Sequence, residues 1–439
     1  MPAQGSVKGM SDGSVETGYT RRVLDGELDD LLPGLAAVAL EGPKGVGKTE
    51  TALRRAASVF MLDSVARRQV LEADPDAVLH GFPPVLVDEW QRVPEVWDTV
   101  RRRVDRDRTP GQFLLTGSAT PAAGSDPHSG AGRIVSLRMR PMALCERGLV
   151  DPTVSLARLM AGTADIGGDS PVRLPDYVEE IVASGFPGIR SLPPRARRAQ
   201  LDGYLRRIVD RDFPEQLRLV RRPAVLRGWL AAYAAATATT TAYTRLLDSA
   251  TPGETDKPAK TTTIAYRDLL TRLWLLDPVP GWAPTPNLSV RLQQAPKHQL
   301  ADPALAARLL GVDVTSLLGG TPGAAGGSGD GALLGRLFES LATLTVNVAA
   351  QAAECGVAHL RTRNGDHEVD LVVTGPAGRV LGIEVKLSAG VGDDDVRHLH
   401  WLRHLLGGDL ADAVVLTTGP TAYRRRDGIA VLPLALLGA

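Results

Sequence analysis

The sequence predicts an α/β fold: a parallel sheet covered on both faces in the N-terminal third, a mainly helical middle, and a second α/β part with a hairpin at the C-terminus. Three observations predict it. Short apolar runs at residues 35–40, 85–87, 113–115 and 134–137 alternate with segments of helical pattern, and unbroken apolar runs are what strands buried on both faces require. A glycine-rich loop stands between the first run and a helix expected over 49–59. After a glycine run at 319–331, a helix at 333–348 leads into short strands near 357–362, 367–374 and 379–387, a helix near 394–406 and a strand at 412–418.

The chain of 439 residues is too long for one ordinary domain, and its 44% apolar and 23% charged content is that of a soluble globular protein. Lys plus Arg and Asp plus Glu both number 50, so only a local basic patch could attract nucleic acid. Cys145 and Cys355 stand far apart without metal-ligand spacing, which argues for a reducing compartment and against a disulfide framework. Residues 1–16 hold no apolar signal-peptide core. The best candidate span, 228–243, is too short and too rich in threonine and alanine to cross a bilayer. The expectation is a cytoplasmic protein with no membrane partner. Polar loops at 119–132, 161–171 and 251–260 and the flexible run at 319–331 punctuate the chain.

Gly42, Pro43, Lys44, Gly45, Val46, Gly47, Lys48 and Thr49 satisfy G-x-x-x-x-G-K-[ST] at every fixed position, after a strand and before a helix. Glycines here let the backbone curl until its N–H groups converge on a phosphate, with the helix N-terminus adding its positive end. Lys48 is expected on the β- and γ-phosphates of ATP and the Thr49 hydroxyl on Mg2+, with Glu50 beside them. Val85, Leu86 and Val87 lead into Asp88 and Glu89 at the sheet edge where open α/β folds bind ligands. Asp88 is expected in the magnesium shell, and Glu89 as the acceptor of a proton from the attacking water. The strand from Phe113 ends in Thr116, Gly117 and Ser118, where Ser118 is the candidate to sense the γ-phosphate or orient water. A glycine turn before a basic helix is the plain alternative for the loop, and its coincidence with these partners outweighs it.

The runs GPKGVGKT, VLVDEWQRVPEVW, FLLTGSAT and GAGRIVSLRMRPM resemble a large prokaryotic family of AAA-type P-loop ATPases whose C-terminal domain is uncharacterised and of restriction-endonuclease-like fold. The resemblance continues through SGFPGIR (184–190), YLRRIVDRDF (204–213), APKHQLADPALA (295–306), GRLFESLA (335–342) and HEVDLVV with IEVKLS (367–388), nearly the whole chain after residue 30. It implies a P-loop NTPase (AAA-like) sheet, a helical and winged-helix middle and a restriction-endonuclease-like α/β domain. It also implies a sensing or finger arginine at Arg133, acting in cis or in trans. Lys44 and Gly45 depart from the arginine and glutamine usual in the family. The chain then divides into a flexible segment at 1–29, the ATPase domain at 30–150, the middle at 151–312, a linker at 313–331 and the last domain at 332–439.

Residues 261–276 read as a capped amphipathic helix, which the resemblance makes the second helix of a winged-helix unit able to enter a DNA groove. Packing between the two α/β parts is the alternative. In the last domain Glu368 and Asp370 are two apart, as are Glu384 and Lys386, so a hairpin gathers them on one face, which Glu339 of the 333–348 helix could join. Restriction-type nucleases use such acids to hold a divalent ion and the lysine to polarise water or phosphate. An exposed hairpin face of paired charges is the plain alternative. His398, His400 and His404 read as a solvated helix face. The function expected is Mg-dependent ATP hydrolysis coupled to a nuclease-like domain with its own second divalent metal. The alternative is a nucleotide-gated switch, or a DNA- or protein-binding module, with that domain inactive. The sequence is equally compatible with a monomer and an oligomer.

Overall fold

The computed structural model describes residues 18–118, 130–213, 223–251, 260–285, 294–319, 330–362 and 365–439. Most of the predicted loops at 119–132 and 251–260 and of the run at 319–331 lies outside the described residues. Five parallel strands form the N-terminal sheet: β1 (Ala37–Glu41), β2 (Ser58–Met61), β3 (Val85–Asp88), β4 (Phe113–Gly117) and β5 (Ile134–Arg138), in the order β2-β3-β4-β1-β5. Alternation along β1 divides its side chains between two cores. Val38 and Leu40 pack with Leu86 and Leu114 on one face, while Ala37 and Ala39 pack with Val87 and Leu115 on the other. With water excluded from both faces no polar alternation survives, which is why the strands read as plain apolar runs.

The helix after the loop is shorter than the pattern predicts. It spans Lys48–Leu53, and the chain turns at Arg54 so that residues 58–61 can add β2 to the sheet, Ser58 against Val85. Arg55 holds that turn by pairing with Asp25 and Asp29 of the helix Val23–Leu31. The β-branched and aromatic side chains of Val59 and Phe60 suit a pleated strand better than a helix.

The middle is helical, as expected, and it is joined to the C-terminal sheet rather than separate from it. After the helices Pro223–Ala235, Tyr243–Ala250 and Lys260–Arg272, antiparallel bridges join Leu276 to Leu300 and Val279 to Lys297. Between those bridges β7 (Gly281–Trp282) joins the edge of the C-terminal sheet, parallel to β8 (Gly356–Arg361). That sheet has seven strands in the order β12-β13-β11-β10-β9-β8-β7, with β9 (Glu368–Thr374) antiparallel to β10 (Val380–Val385) as the predicted hairpin. Its remaining strands are β11 (Leu410–Thr417), β12 (Tyr423–Arg424) and β13 (Ala430–Pro433). The long helix Asp330–Ala352 covers one face with Leu337, Phe338 and Leu341, and the helix Asp393–Leu406 covers the other with Val396, Leu399 and Leu402. A short ladder of β6 (Val154–Ser155) and β14 (Leu437–Gly438) returns the chain's last residues to the end of its first third. One hydrophobic core runs from Leu24 to Leu437, so the first sheet, the helices and the last sheet share buried surface. No helix among the described residues is long and apolar enough to cross a membrane.

Candidate functional site

The glycines of the loop do what the pattern requires of them. Gly42, Gly45 and Gly47 have φ of 152°, 83° and 104°, a region that side chains disfavour. Gly42 is also sterically closed: a Cβ there would lie 2.1 Å from the carbonyl oxygen of Met139, just past β5. Lys48, 5% exposed, turns back over the loop and donates to the carbonyls of Gly42 and Pro43, each at 2.8 Å. Burial draws its ammonium down to about 8, against the opposing pull of Glu89 and Asp88. Val46 is anchored through its carbonyl, which accepts from Arg22 at 2.8 Å.

Asp88 is buried at the end of β3. Its Oδ1 accepts from the Thr49 hydroxyl at 2.7 Å and from the Thr116 hydroxyl at 2.5 Å. The two-strand register sets Asp88 directly beside Thr116. A hydroxyl and a carboxylate converging at the loop are a donor set that fits a hard divalent ion such as Mg2+. Glu89 comes next, in the left-handed region at φ 57° and ψ 44°, an unusual conformation for a residue with a side chain. Its Oε2 accepts from Gln91 at 2.6 Å and from Ser118 at 3.1 Å. The structure thus brings Lys48, Thr49, Asp88, Glu89 and Ser118 together around one loop.

Three further residues belong to this neighbourhood. Thr116 orients Asp88 and Gln91 orients Glu89. Asp212 reaches in from the middle of the chain and pairs with Lys44 at 2.8 Å. Lys44 and Gly45, the two departures from the family pattern, line a cavity of about 470 Å3 with Ser118, Tyr204, Arg207 and Asp212. On the other side of the loop Val46, Gly47 and the exposed Glu50 border a cavity of about 850 Å3 with Tyr19, Arg22 and Arg190.

Arg133 is elsewhere. It precedes β5, whose Ile134 pairs with Ala37 at the start of β1, whereas the loop comes after Glu41 at the end of β1. Arg133 therefore lies at the opposite end of the sheet, bound to Asp105 at 2.7 Å. From there it does not approach the loop of its own chain. A residue before a parallel strand cannot reach the ligand edge that lies after it.

The C-terminal acids do converge, and they are not an exposed hairpin face. Glu384 is 3% exposed, and Asp370 is pinned by the backbone N–H of Val385 at 2.9 Å. A cation is already among them. Lys297, 2% exposed at its side chain, lies 2.8 Å from Glu339, 3.0 Å from Asp370 and 3.5 Å from Glu368. Lys386 pairs with Glu384 at 3.1 Å. Burial disfavours the Lys297 charge, yet Asp370 and Glu339 hold its ammonium above the ordinary lysine range. With that ammonium in place the acids do not fit a second divalent ion. No group of three or more His, Cys, Asp or Glu side chains among the described residues is arranged to hold a metal. The histidine face is engaged in part: His400 bonds Asp427 at 3.1 Å and His398 faces His367 at 3.4 Å.

Comparisons with known proteins agree with this geometry in the first third. Residues 36–147 match the family described as AAA domain. Residues 174–316 and 334–437 match domains of unknown function, DUF8612 and DUF4143 respectively. Two uncharacterized proteins, from Mycobacterium bovis and Mycobacterium tuberculosis, are each 27% identical over 356 residues, covering 80% of this chain and 70% of theirs. Among solved structures, a Walker-type ATPase of Pyrococcus abyssi aligns at 15% identity and TM-score 0.39, covering 67% of this chain and 97% of its own. The ORC2 protein of Aeropyrum pernix, in its ADP form, aligns at 16% identity and TM-score 0.27, covering 68% and 95%. The AAA match and the glycine loop fall on the same stretch, so residues 36–147 form an AAA-type P-loop ATPase-like domain.

Proposed function

We propose that the chain binds ATP with Mg2+, hydrolyses it, and passes its nucleotide state to the C-terminal sheet. The observation that carries the first part is the convergence of Lys48, Thr49, Asp88 and Glu89 on one glycine loop. Loop amides and the Lys48 ammonium would bind the β- and γ-phosphates, exchanging the carbonyls of Gly42 and Pro43 for phosphate oxygens. Thr49 and Asp88 would hold Mg2+, which supplies charge neutralisation of the phosphates when bound. Glu89, held by Gln91 and Ser118, would take the proton of the attacking water. The larger cavity beside Gly47 has room for the nucleoside.

Replacing Lys48 with alanine deletes the one loop cation aimed inward, since Lys44 is spent on Asp212. Charge-assisted contacts of this kind justify a loss of roughly a hundredfold in ATP affinity. Direct titration of parent and variant checks it, and equal affinities would falsify the phosphate-loop assignment.

Arg207 is the better same-chain candidate for contact with the γ-phosphate. It lines the cavity of Lys44 and Ser118 and has no ion-pair partner among the described residues. In dilute protein Arg207→Ala is expected to lower turnover by about tenfold or more, and Arg133→Ala to leave it unchanged. The reverse order, with activity rising with protein concentration and restored by mixing Arg133→Ala with Lys48→Ala chains, would assign the finger to Arg133 of a neighbouring copy.

Support for coupling comes from the end of β5. Arg138 and Arg140 both bind Asp277, at 2.7 and 2.8 Å, and Arg140 also reaches Gln351 of the Asp330–Ala352 helix at 3.0 Å. The carbonyl of Met139, between those arginines, is the atom packed against Gly42. A loop that shifts on nucleotide binding would press on both partners. For the output, Lys297 among the acids favours a nucleotide-gated switch over a resident metal nuclease. Assay of DNA and RNA cleavage with Mg2+ or Mn2+ checks this, and cleavage abolished by Asp370→Asn would restore the nuclease.

A further inference from the structure

The acids of the C-terminal centre come from separate elements: Glu339 from the long helix, Glu368 and Asp370 from β9, and Glu384 from β10. Burying like charges together is costly unless a cation joins them. Here the cation belongs to the chain. The Lys297 ammonium donates to Glu339 at 2.8 Å and to Asp370 at 3.0 Å, and Glu368 pairs with it at 3.5 Å.

Its backbone is locked at the same place. Lys297 exchanges hydrogen bonds with Val279, at 2.9 and 3.0 Å. His359 of β8 donates its N–H to Pro280 at 2.9 Å and shares its Nε2 with the Ala295 carbonyl at 3.0 Å. Neighbouring His298 is stitched to Ala238 and Thr239 of the helical middle, both at 2.8 Å. A side chain so fixed is a built-in part of the centre. Glu384 Oε1 is buried with no hydrogen-bond partner among the described residues, although its companion oxygen meets Lys386. That buried oxygen, beside Asp370, is of the type an oxygen-seeking cation takes.

We infer that the Lys297 ammonium stands in for a divalent ion in the Glu339–Asp370–Glu384 centre, and that removing it opens a site for such an ion. Two cations cannot share this volume cheaply. A divalent ion needs several oxygens at close range, and Lys297 occupies those of Glu339 and Asp370. The ion would also lie within a few ångströms of a buried ammonium, where like charges repel strongly. Once Lys297 is removed, Glu339, Asp370 and Glu384 would present a carboxylate set of the hard-cation type. The inference is independent of ATP hydrolysis, because the two centres share no residue.

The experiment counts Mn2+ ions bound per full-length chain, without nucleotide, from the electron paramagnetic resonance of the free ion. Parent, Asp370→Asn, Lys297→Met and Lys297→Met with Asp370→Asn are compared. Parent and Asp370→Asn are expected to bind equally, Lys297→Met to bind one ion more, and the double variant to lose that ion. Should Lys297→Met not fold, Lys297→Gln, which keeps a polar contact to the acids without the charge, is expected to gain the ion in the same way. An ion bound by the parent and lost in Asp370→Asn overturns the inference. So does a folded Lys297 variant that gains none.

Discussion

Glu89→Gln is expected to keep ATP bound while hydrolysis falls by at least about a hundredfold. Gln91 and Ser118 both donate to a single oxygen of Glu89, and a glutamine carbonyl can accept both bonds in that oxygen's place. Lys48, Thr49 and Asp88 are untouched, so affinity should be preserved. What disappears is the basicity of the carboxylate. The left-handed backbone at Glu89, φ 57°, supports a functional role. A non-glycine residue in that region costs of order 1 kcal/mol and persists where the surroundings impose it. Here β3 ends at Asp88 and a short 3-10 turn begins at Trp90, so the chain must swing the acid towards Ser118 in one step. Steady-state turnover and equilibrium ATP titration of the same preparation measure the two effects separately. Turnover at the parent rate would make Glu89 a structural acid, with the base elsewhere.

The loop is legible in the sequence because its conformation needs glycine and its chemistry needs lysine and a hydroxyl, and each demand leaves a letter. Asp88 and Glu89 are legible for a related reason, as the first polar residues after an unbroken apolar strand. Thr116 does not stand out, since its role depends on the register that sets it beside Asp88. Period-two spacing from Ser118 is the available hint. Gln91 carries no signal beyond proximity to Glu89, and Asp212 none at all, because the fold brings it to Lys44 across the chain. β2 is hidden inside a helical pattern that simply continues past Leu53. Arg133 sits away from the loop of its own chain for a reason the sequence does contain, namely that residues before and after a parallel strand lie at opposite ends of it. In the C-terminal part, spacing gathers Glu368, Asp370, Glu384 and Lys386 on one face, but spacing does not say whether a face meets solvent or another element. The Glu339 helix and Lys297 cover that face, and Lys297 arrives from before the glycine run that reads as the end of the preceding domain.

Asp277→Ala is expected to destabilise the protein by about 3–5 kcal/mol, the cost typical of removing one partner from a buried ion pair. The Asp277 side chain is 13% exposed, and those of Arg138 and Arg140 are 23% and 12%. Burial opposes ionisation of Asp277, but Arg140 and Arg138 outweigh it and hold the carboxyl below its ordinary value of 3.8. On the partner's side burial wins, so Arg138 is pushed down despite Asp277. The directions differ because Asp277 has two cations to hold it, whereas Arg138 bears its own burial and the repulsion of Arg140. Asp277→Ala leaves two guanidiniums together without that anion. Asp277→Asn, which keeps a hydrogen-bond acceptor, should cost less. The depressed carboxyl sets the sign of the pH dependence: the stabilisation is complete above about 3.8 and is lost as the pH falls through the lower folded value. Denaturant unfolding of parent and variant at neutral and acid pH should then show a gap that narrows on acidification. A gap that is small and independent of pH would mean that Arg138 and Arg140 find other anions, and the end of β5 would lose its place as the link between the phosphate loop and the C-terminal sheet. If the gap has the expected size, ATP turnover in Asp277→Asn tests the link itself. Retained turnover, with the nucleotide dependence of hydrogen exchange in the Asp330–Ala352 helix abolished, separates coupling from catalysis, because Asp277 touches neither the loop nor its acids.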